Sequence, residues 1–408
     1  MARRRHLEDS RSAAVVIQAG MEHAQLDSEE WSHIVMRLGG AEALALSARE
    51  YRAFVRARGV RSAHDLLRLA LMYGPGGHSL RSVAAMAGAA GLADVSEVAV
   101  LGRLKAAADW LEHLCKQQLA LFANETGVSI TQRPIRIVDG SRIEGPGDRV
   151  WRLHLCYDAN RARIADAVIT TTKEGERLDR LAVTRGEIRL GDRGFPQPDG
   201  IRNTLDEGAD VLVRLTWNSL QLSANAKPID WLKLFKQAGE QGAIDMPVRV
   251  HKAHSKFQPI DMRLVMIKKP PAAAAKSRVK ARRASQKNQR RTDPRTLAGA
   301  DYVILLTSLK PEEFPINLIA ALYRLRWQIE LAIKRLKSIL HIDRVPAKNP
   351  QLARAWLYAH LLLALILDKI SAELGAIPPS AAGMPANLAL AYHHPPRRRI
   401  ARGHLAAA

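Results

Sequence analysis

The chain has 408 residues, 47% apolar and 25% charged, enough to bury a sizeable core and to fill two or three domains. Lysine and arginine outnumber the acids 62 to 40, giving a net charge of +22, a surplus that points to a polyanionic partner because basic side chains displace counterions condensed on phosphates. Two cysteines, Cys115 and Cys156, form no C-x-x-C pair, which excludes a disulfide framework and a cysteine-built zinc site and fits a reducing cytoplasm.

From about residue 10 to 125, apolar residues recur at helical spacing among Ala, Leu, Arg and Glu, so an all-helical N-terminal DNA-binding domain is expected over 1–128. The basic start is followed by Glu8, Asp9 and Ser10 rather than by an apolar signal core. Within the helical region, Ser79 and Ser96 are N-cap candidates for two short helices joined at Gly88 and Gly91. That pattern is open to a helix-turn-helix or an ordinary αα-hairpin.

After Gln132 the texture turns to strands. Arg133 to Val138 is β-rich and ends at Asp139-Gly140-Ser141; Val150 to Tyr157 alternates, and Arg163 to Thr171 is a third candidate. A short helix around Leu178 to Val183, a strand Glu187–Leu190 ending at Gly191-Asp192-Arg193-Gly194-Phe195, a helix at about 198–207 and a strand 209–215 complete a β-β-β-α-β-α-β order, an α/β layout. Residues 217–300 interrupt it as a β-rich insertion, with strands expected at Val248–Val250 and Asp261–Ile267. The insertion also holds a basic tract, including Lys280, Arg282 and Arg283. Such like-charge runs stay disordered alone, and this one is expected to be a phosphate-tracking arm.

A strand at Tyr302–Leu306 leads into one long helix, from Pro315 to about His341, stopped before Pro346. A second apolar helix, Pro350–Ala376, and a basic tail from His393 make up a C-terminal part, 346–408. The most apolar stretch, Ala355 to Leu367, runs about 13 residues where a bilayer takes about 20, so no membrane span is expected. Histidines are scattered, and no nucleotide-binding glycine fingerprint occurs, so no nucleotide cofactor is expected.

On the long helix, advancing about 100° per residue, Tyr323, Arg326, Glu330 and Lys337 share an arc of about 60° bordering the apolar face. Taken alone, Arg326 and Glu330 read as an i,i+4 surface pair. Their company changes the reading: Asp139 and Asp192 each stand at a strand end beside a glycine. Three carboxylates from separate elements suit a pair of Mg²⁺ ions, which favour oxygen ligands and serve in-line phosphodiester displacement. Arg326 and Lys337 would neutralise the attacked phosphate, with Tyr323 hydrogen-bonding a neighbour.

The run Tyr323-x2-Arg326-x3-Glu330-x6-Lys337 resembles the signature of IS4-family DDE transposases of bacterial insertion sequences, and Asp139-Gly-Ser and Gly191-Asp192-Arg193-Gly194-Phe195 look like the family's first two catalytic strand ends. The resemblance implies an RNase H-like catalytic core over 129–345 that contains the 217–300 insertion. It implies two Mg²⁺ ions, replaceable by Mn²⁺, on Asp139, Asp192 and Glu330. It also implies DNA contacts from Tyr323, Arg326, Lys337 and Arg193, joined by those of the basic tract. The reaction implied is cut-and-paste transposition at terminal inverted repeats. Water nicks the element end, the freed 3′-OH attacks the other strand to form a hairpin, the hairpin is reopened, and the 3′-OH so restored joins target DNA, with a homodimer pairing the ends in the cytoplasmic nucleoid. A non-mobile nuclease on the same fold and a catalytically idle DNA-binding derivative are the alternatives. Where some family members stack a flipped base on a tryptophan, this chain has Val303, leaving Tyr302 or Trp217 as candidate surfaces. Trp327 is open to packing or function.

Overall fold

The computed structural model describes residues 28–121, 131–252 and 257–373; the basic N-terminal start, His254 and the tail from His393 lie outside them. Among the described residues six helices come first: α1 (Ser28–Arg37), α2 (Gly40–Glu50), α3 (Ala63–Tyr73), α4 (Leu80–Ala89), α5 (Glu97–Ala106) and α6 (Ala108–Leu121). Ser79 and Ser96 are the caps the sequence marks, accepting from the amides of Ser82 at 3.1 Å and Ala99 at 3.3 Å. Between those helices Gly91 takes a positive φ of 65°, a conformation that costs glycine little. Leu66, Leu67, Val83, Leu104 and Leu111 are fully buried.

The strands are β1 (Ile135–Glu144), β2 (Val150–Asp158), β3 (Arg163–Thr171), β4 (Ile188–Gly191), β5 (Asp210–Leu215), β6 (Gln221–Ala224), β7 (Lys227–Pro228), β8 (Ala243–His251), β9 (Ile260–Lys268) and β10 (Tyr302–Thr307). They form one mixed sheet in the order β3-β2-β1-β4-β5-β10-β9-β8-β6-β7. β1 runs antiparallel to β2 but parallel to β4, and β4 parallel to β5. β10 then pairs antiparallel with both β5 and β9. Segment 217–300 therefore extends the central sheet edge-on instead of standing beside it. It is as helical as it is extended, with α8 (Trp231–Gln241), α9 (Pro271–Lys287) and α10 (Pro294–Gly299).

Four expectations need correction. Asp139 does not stand at a strand end: β1 continues through it to Glu144 because β2 pairs with it along that whole length. The stretch 178–183 is not a helix but irregular turns. The buried Arg189 guanidinium takes the carbonyls of Leu178 (2.7 Å), Leu181 (2.9 Å) and Ala182, so oxygens that a helix would bond internally are engaged elsewhere. The basic tract is ordered as α9: Ala, Lys, Arg and Gln are strong helix formers, Pro271 suits a first turn, and Ala274 burial with an Arg278–Asp301 pair at 2.6 Å anchors it. The long helix is broken into α11 (Ile316–Arg324) and α12 (Trp327–Ile339). At the joint the amides of Leu325 and Arg326 bond three residues back, to Leu322 and Tyr323, a tightened 3₁₀ turn formed without Pro or Gly.

The last described helix, α13 (Pro350–Glu373), packs chiefly on α6 and also on α3, α5 and β3, joining the helical region to the sheet. Its stretch Pro350–Ile370 is long and apolar enough to cross a membrane, yet 72% of its most apolar window is buried inside the protein.

Candidate active site

The parallel pairing of β1 with β4 sets Ile137 opposite Leu190. Asp139 lies two residues further along β1 and Asp192 just past the end of β4, close enough that the Asp192 charge acts on Asp139. Each carboxylate is steadied by the amide of a following glycine: Asp139 Oδ1 accepts from Gly140 at 2.8 Å, and Asp192 Oδ1 from Gly194 at 2.7 Å. Burial pushes Asp139 up to about 6; the Gly140 amide opposes this, the Asp192 charge adds to it, Arg326 opposes it and Glu176 adds again.

Glu330 arrives from the opposite layer. α12 packs on β1 and β2, and Lys337 reaches over to donate to the Arg142 carbonyl of β1 at 3.1 Å. Glu330 is ion-paired with Arg326 and is 55% exposed, while the same guanidinium acts on Asp139. The structure thus brings the two aspartates together and leaves Glu330 one ion pair away. Among the described residues, no three acidic, histidine or cysteine side chains converge closely enough to ligate one ion.

Tyr323 is buried, and its hydroxyl has no hydrogen-bond partner among the described residues. Burial raises its pKa, with Arg326, Arg214 and Arg193 opposing and Asp192 adding. Around it stands a set of cations. Burial and then Arg214 lower Arg193. Burial, then Arg214 and Arg193, lower Lys269 to about 8, although its ammonium donates to Ser277 Oγ at 3.0 Å and the Ala300 carbonyl at 2.6 Å. An unpaired buried hydroxyl beside crowded positive charge is the electrostatic form of a phosphate subsite. Lys280, Arg282 and Arg283 are exposed on α9, and no contact ties them to the acids.

Sequence reasoning missed three of these neighbours. Arg214 was legible as a lone charge in Val211-Leu-Val213-Arg214-Leu215. Lys269 carried no signal before the fold set it beside Arg214. Glu176, in the loop between β3 and β4, had only an indirect one: the glycines at 140 and 194. A Cβ built on Gly140 would lie 2.5 Å from Glu176 Oε1, and one on Gly194 would lie 2.5 Å from Oε2 and 3.2 Å from Asp192 Oδ1.

Neither expected stacking surface is open. Tyr302 is buried against Phe235 at 5.6 Å and donates to the Phe235 carbonyl at 2.9 Å. Trp217 has Arg295 over its ring at 3.7 Å and donates to Thr296 Oγ1 at 2.9 Å. Trp327, next to Arg326 at the start of α12, is 54% exposed. The histidines serve locally: His154 bonds Thr170 at 2.9 Å, burial lowering it to about 4, and His251 bonds Ser223 at 2.7 Å.

An oxygen-only donor set with gathered negative charge fits a hard divalent cation. Residues 130–367 match the family described as the transposase DDE domain. The chain is 40% identical over 361 residues to the putative transposase InsL of insertion sequence element IS186A from Escherichia coli K12, covering 87% of this chain and 97% of the relative. It is also 40% identical over 362 residues to the transposase for insertion sequence element IS421 from Escherichia coli, with the same coverage.

Proposed function

The chain belongs to the DDE transposases, which cleave DNA and transfer strands for insertion sequences, and we propose that Asp139, Asp192 and Glu330 are its catalytic acids. One observation carries this reading: the parallel pairing of β1 with β4 that brings Asp139 within the field of Asp192, with the Glu330 helix packed on β1 and β2. The strand order β3-β2-β1-β4-β5, three antiparallel then three parallel neighbours, supports an RNase H-like core, with the preceding helices as the DNA-binding domain.

A pair of Mg²⁺ ions, or Mn²⁺ in their place, would supply activation of the attacking oxygen and stabilisation of the leaving one. Asp139 and Asp192 would hold one side of that site, and Glu330 would join them once a DNA phosphate takes over the Arg326 guanidinium, whose fork suits bidentate bonds to phosphate. Tyr323 then donates its unpaired hydroxyl to a neighbouring phosphate oxygen, and Arg193 and Arg214 neutralise the strand beside it. Lys337, now spent on a backbone carbonyl, tracks the DNA end. Trp327 is the exposed aromatic at the position to meet an unstacked base. The partner is double-stranded DNA, element ends and target, with a homodimer holding the paired ends in the nucleoid.

The test is incubation of the full chain with Mg²⁺ and a linear DNA bearing an element terminus. The reading expects 3′-OH nicks and strand-transfer products, both abolished in Asp192→Ala while DNA binding persists. Nicks without joining would favour a nuclease. An Asp192→Ala variant that cuts like the parent would overturn the assignment.

A further inference from the structure

We propose that Lys269 contacts a backbone phosphate of the bound DNA and passes the strand leaving the acids to helix α9, whose exposed cations continue the track. The inference rests on the reading of the site above and adds a residue and a path outside the signature. β5 and β9 both pair antiparallel with β10, so they run in one direction and end on the same side of the sheet. β4, parallel to β5, also ends there, just before Asp192. Arg214 lies near the end of β5. Lys269 directly follows β9, its amide still bonded to the Asp301 carbonyl at 2.8 Å. Only β10 separates the two strands, and Arg214 and Arg193 both act on the Lys269 charge.

This row of cations is short of anions. Lys269 is 9% exposed, and two of its three ammonium donors go to Ser277 Oγ at 3.0 Å and the Ala300 carbonyl at 2.6 Å. The acid that acts on it, Asp301, is bonded by Arg278 at 2.6 Å. Arg214 Nε is buried with no hydrogen-bond partner among the described residues. So is the hydroxyl of Tyr323, itself 9% exposed, on which Arg214 and Arg193 also act. Crowding like charges and leaving buried donors unpaired costs free energy, so folding alone gives no reason for the arrangement. A phosphate does, because it takes several donors at once and offsets the repulsion.

From Lys269 the path continues on α9. That helix starts two residues further on, and its Ser277 holds the Lys269 ammonium. Lys276, Lys280, Arg283 and Lys287 recur at steps of four, three and four, the spacing of one helix stripe. The stripe is about 16 Å long, and Lys280 stands about 60° round the helix from Ser277. All four are exposed, and among the described residues no hydrogen bond or ion pair engages them. Arg278, off the stripe, is instead paired with Asp301.

The experiment measures binding of the full chain to an element-end duplex over a salt series, then repeats it with single uncharged methylphosphonates replacing the phosphates beside the cut site in turn. In the parent, one such replacement is expected to weaken binding about tenfold, the worth of a charge-assisted bond. In Lys269→Gln that position is expected to fall silent and the salt slope to drop by about 0.7–0.9, one phosphate's share. Lys269→Arg keeps the charge and is expected to restore most of both. Lys280→Gln is expected to silence a second position, on the same strand and further from the cut. A Lys269→Gln chain with the parental slope and every replacement effect intact overturns the proposal. So does one that melts well below the parent and loses binding evenly at all positions, which marks a strut. Either result leaves the three-acid reading standing, because Asp192→Ala tests that separately by loss of cutting. A silent position for Lys280→Gln on the other strand overturns the path along α9.

Discussion

Replacing Arg189 with Met should destabilise the chain far more than an ordinary core substitution. Arg189 is 0% exposed. Its Nε donates to Glu187 Oε1 at 2.6 Å, and its terminal nitrogens hold three carbonyls of the loop that carries Glu176. Methionine fills much of the volume but makes none of these bonds. Glu187, 1% exposed, would keep only the Thr184 amide at 3.1 Å and a distant Arg136 at 4.0 Å. Removing one partner of a buried ion pair costs about 3–5 kcal/mol, because the other charge is left without compensation. At roughly 2–4 °C per kcal/mol for a domain of this kind, melting should fall by about 10 °C. Calorimetry checks the figure, and the double variant Arg189→Met/Glu187→Gln should regain much of the loss by removing the stranded charge. A single variant melting within about 2 °C of the parent would refute the reasoning, since that is less than 1 kcal/mol on the same scale.

Proton competition gives a second prediction. Burial and the Asp192 charge hold the Asp139 carboxyl up at about 6, above its unfolded value, so between about pH 4 and 6 the folded chain binds more protons than the unfolded one. Metal-free stability therefore falls as pH rises through that window. Cation affinity rises there by up to about tenfold per pH unit and levels above it, because a ligand carboxyl must release its proton. Mn²⁺ titrations from pH 5 to 8 check this, and a flat profile would contradict it. Neutralising Lys280, Arg282 and Arg283 together should lower the salt slope of DNA binding by about 2–3 if all three meet phosphates; an unchanged slope would make α9 a bystander. Tyr323→Phe removes only the unpaired hydroxyl, so it should leave the melting temperature unchanged or raised while weakening binding of the element end, measured by gel shift. Parental end binding would remove Tyr323 from the DNA contacts.

The nearness of the two aspartates was partly legible because each stands beside a glycine after a run of β-formers, and those runs pair in parallel. The sequence places Asp139 at a strand end, but pairing with β2 carries β1 on to Glu144. What stayed hidden depends on contacts distant in sequence. The apolar and helix-prone pattern around Leu178–Val183 loses to Arg189, whose guanidinium outcompetes the helix for carbonyl oxygens. The joint at Leu325–Arg326 has no breaker residue, so periodicity alone carried one helix straight through it. The α9 tract shows charge overriding propensity in a reading made without its anchors, Ala274 and Asp301. β8 and β9 read as strands, but pairing on the free edge of β10 decided that they lengthen the central sheet. Glu176 sits in a loop without periodicity, and only the room left at Gly140 and Gly194 points to it.

Radical mapping tests the central claim most directly. The full chain on element-end DNA, loaded with Fe²⁺ in place of Mg²⁺ and treated with ascorbate and peroxide, should be cut in its own backbone near residues 139, 192 and 330. Excess Mg²⁺ should suppress all three cuts, and Asp192→Asn should abolish them. Cuts clustered elsewhere, or cuts at 139 and 192 with none near 330 once DNA is bound, would contradict the three-acid account.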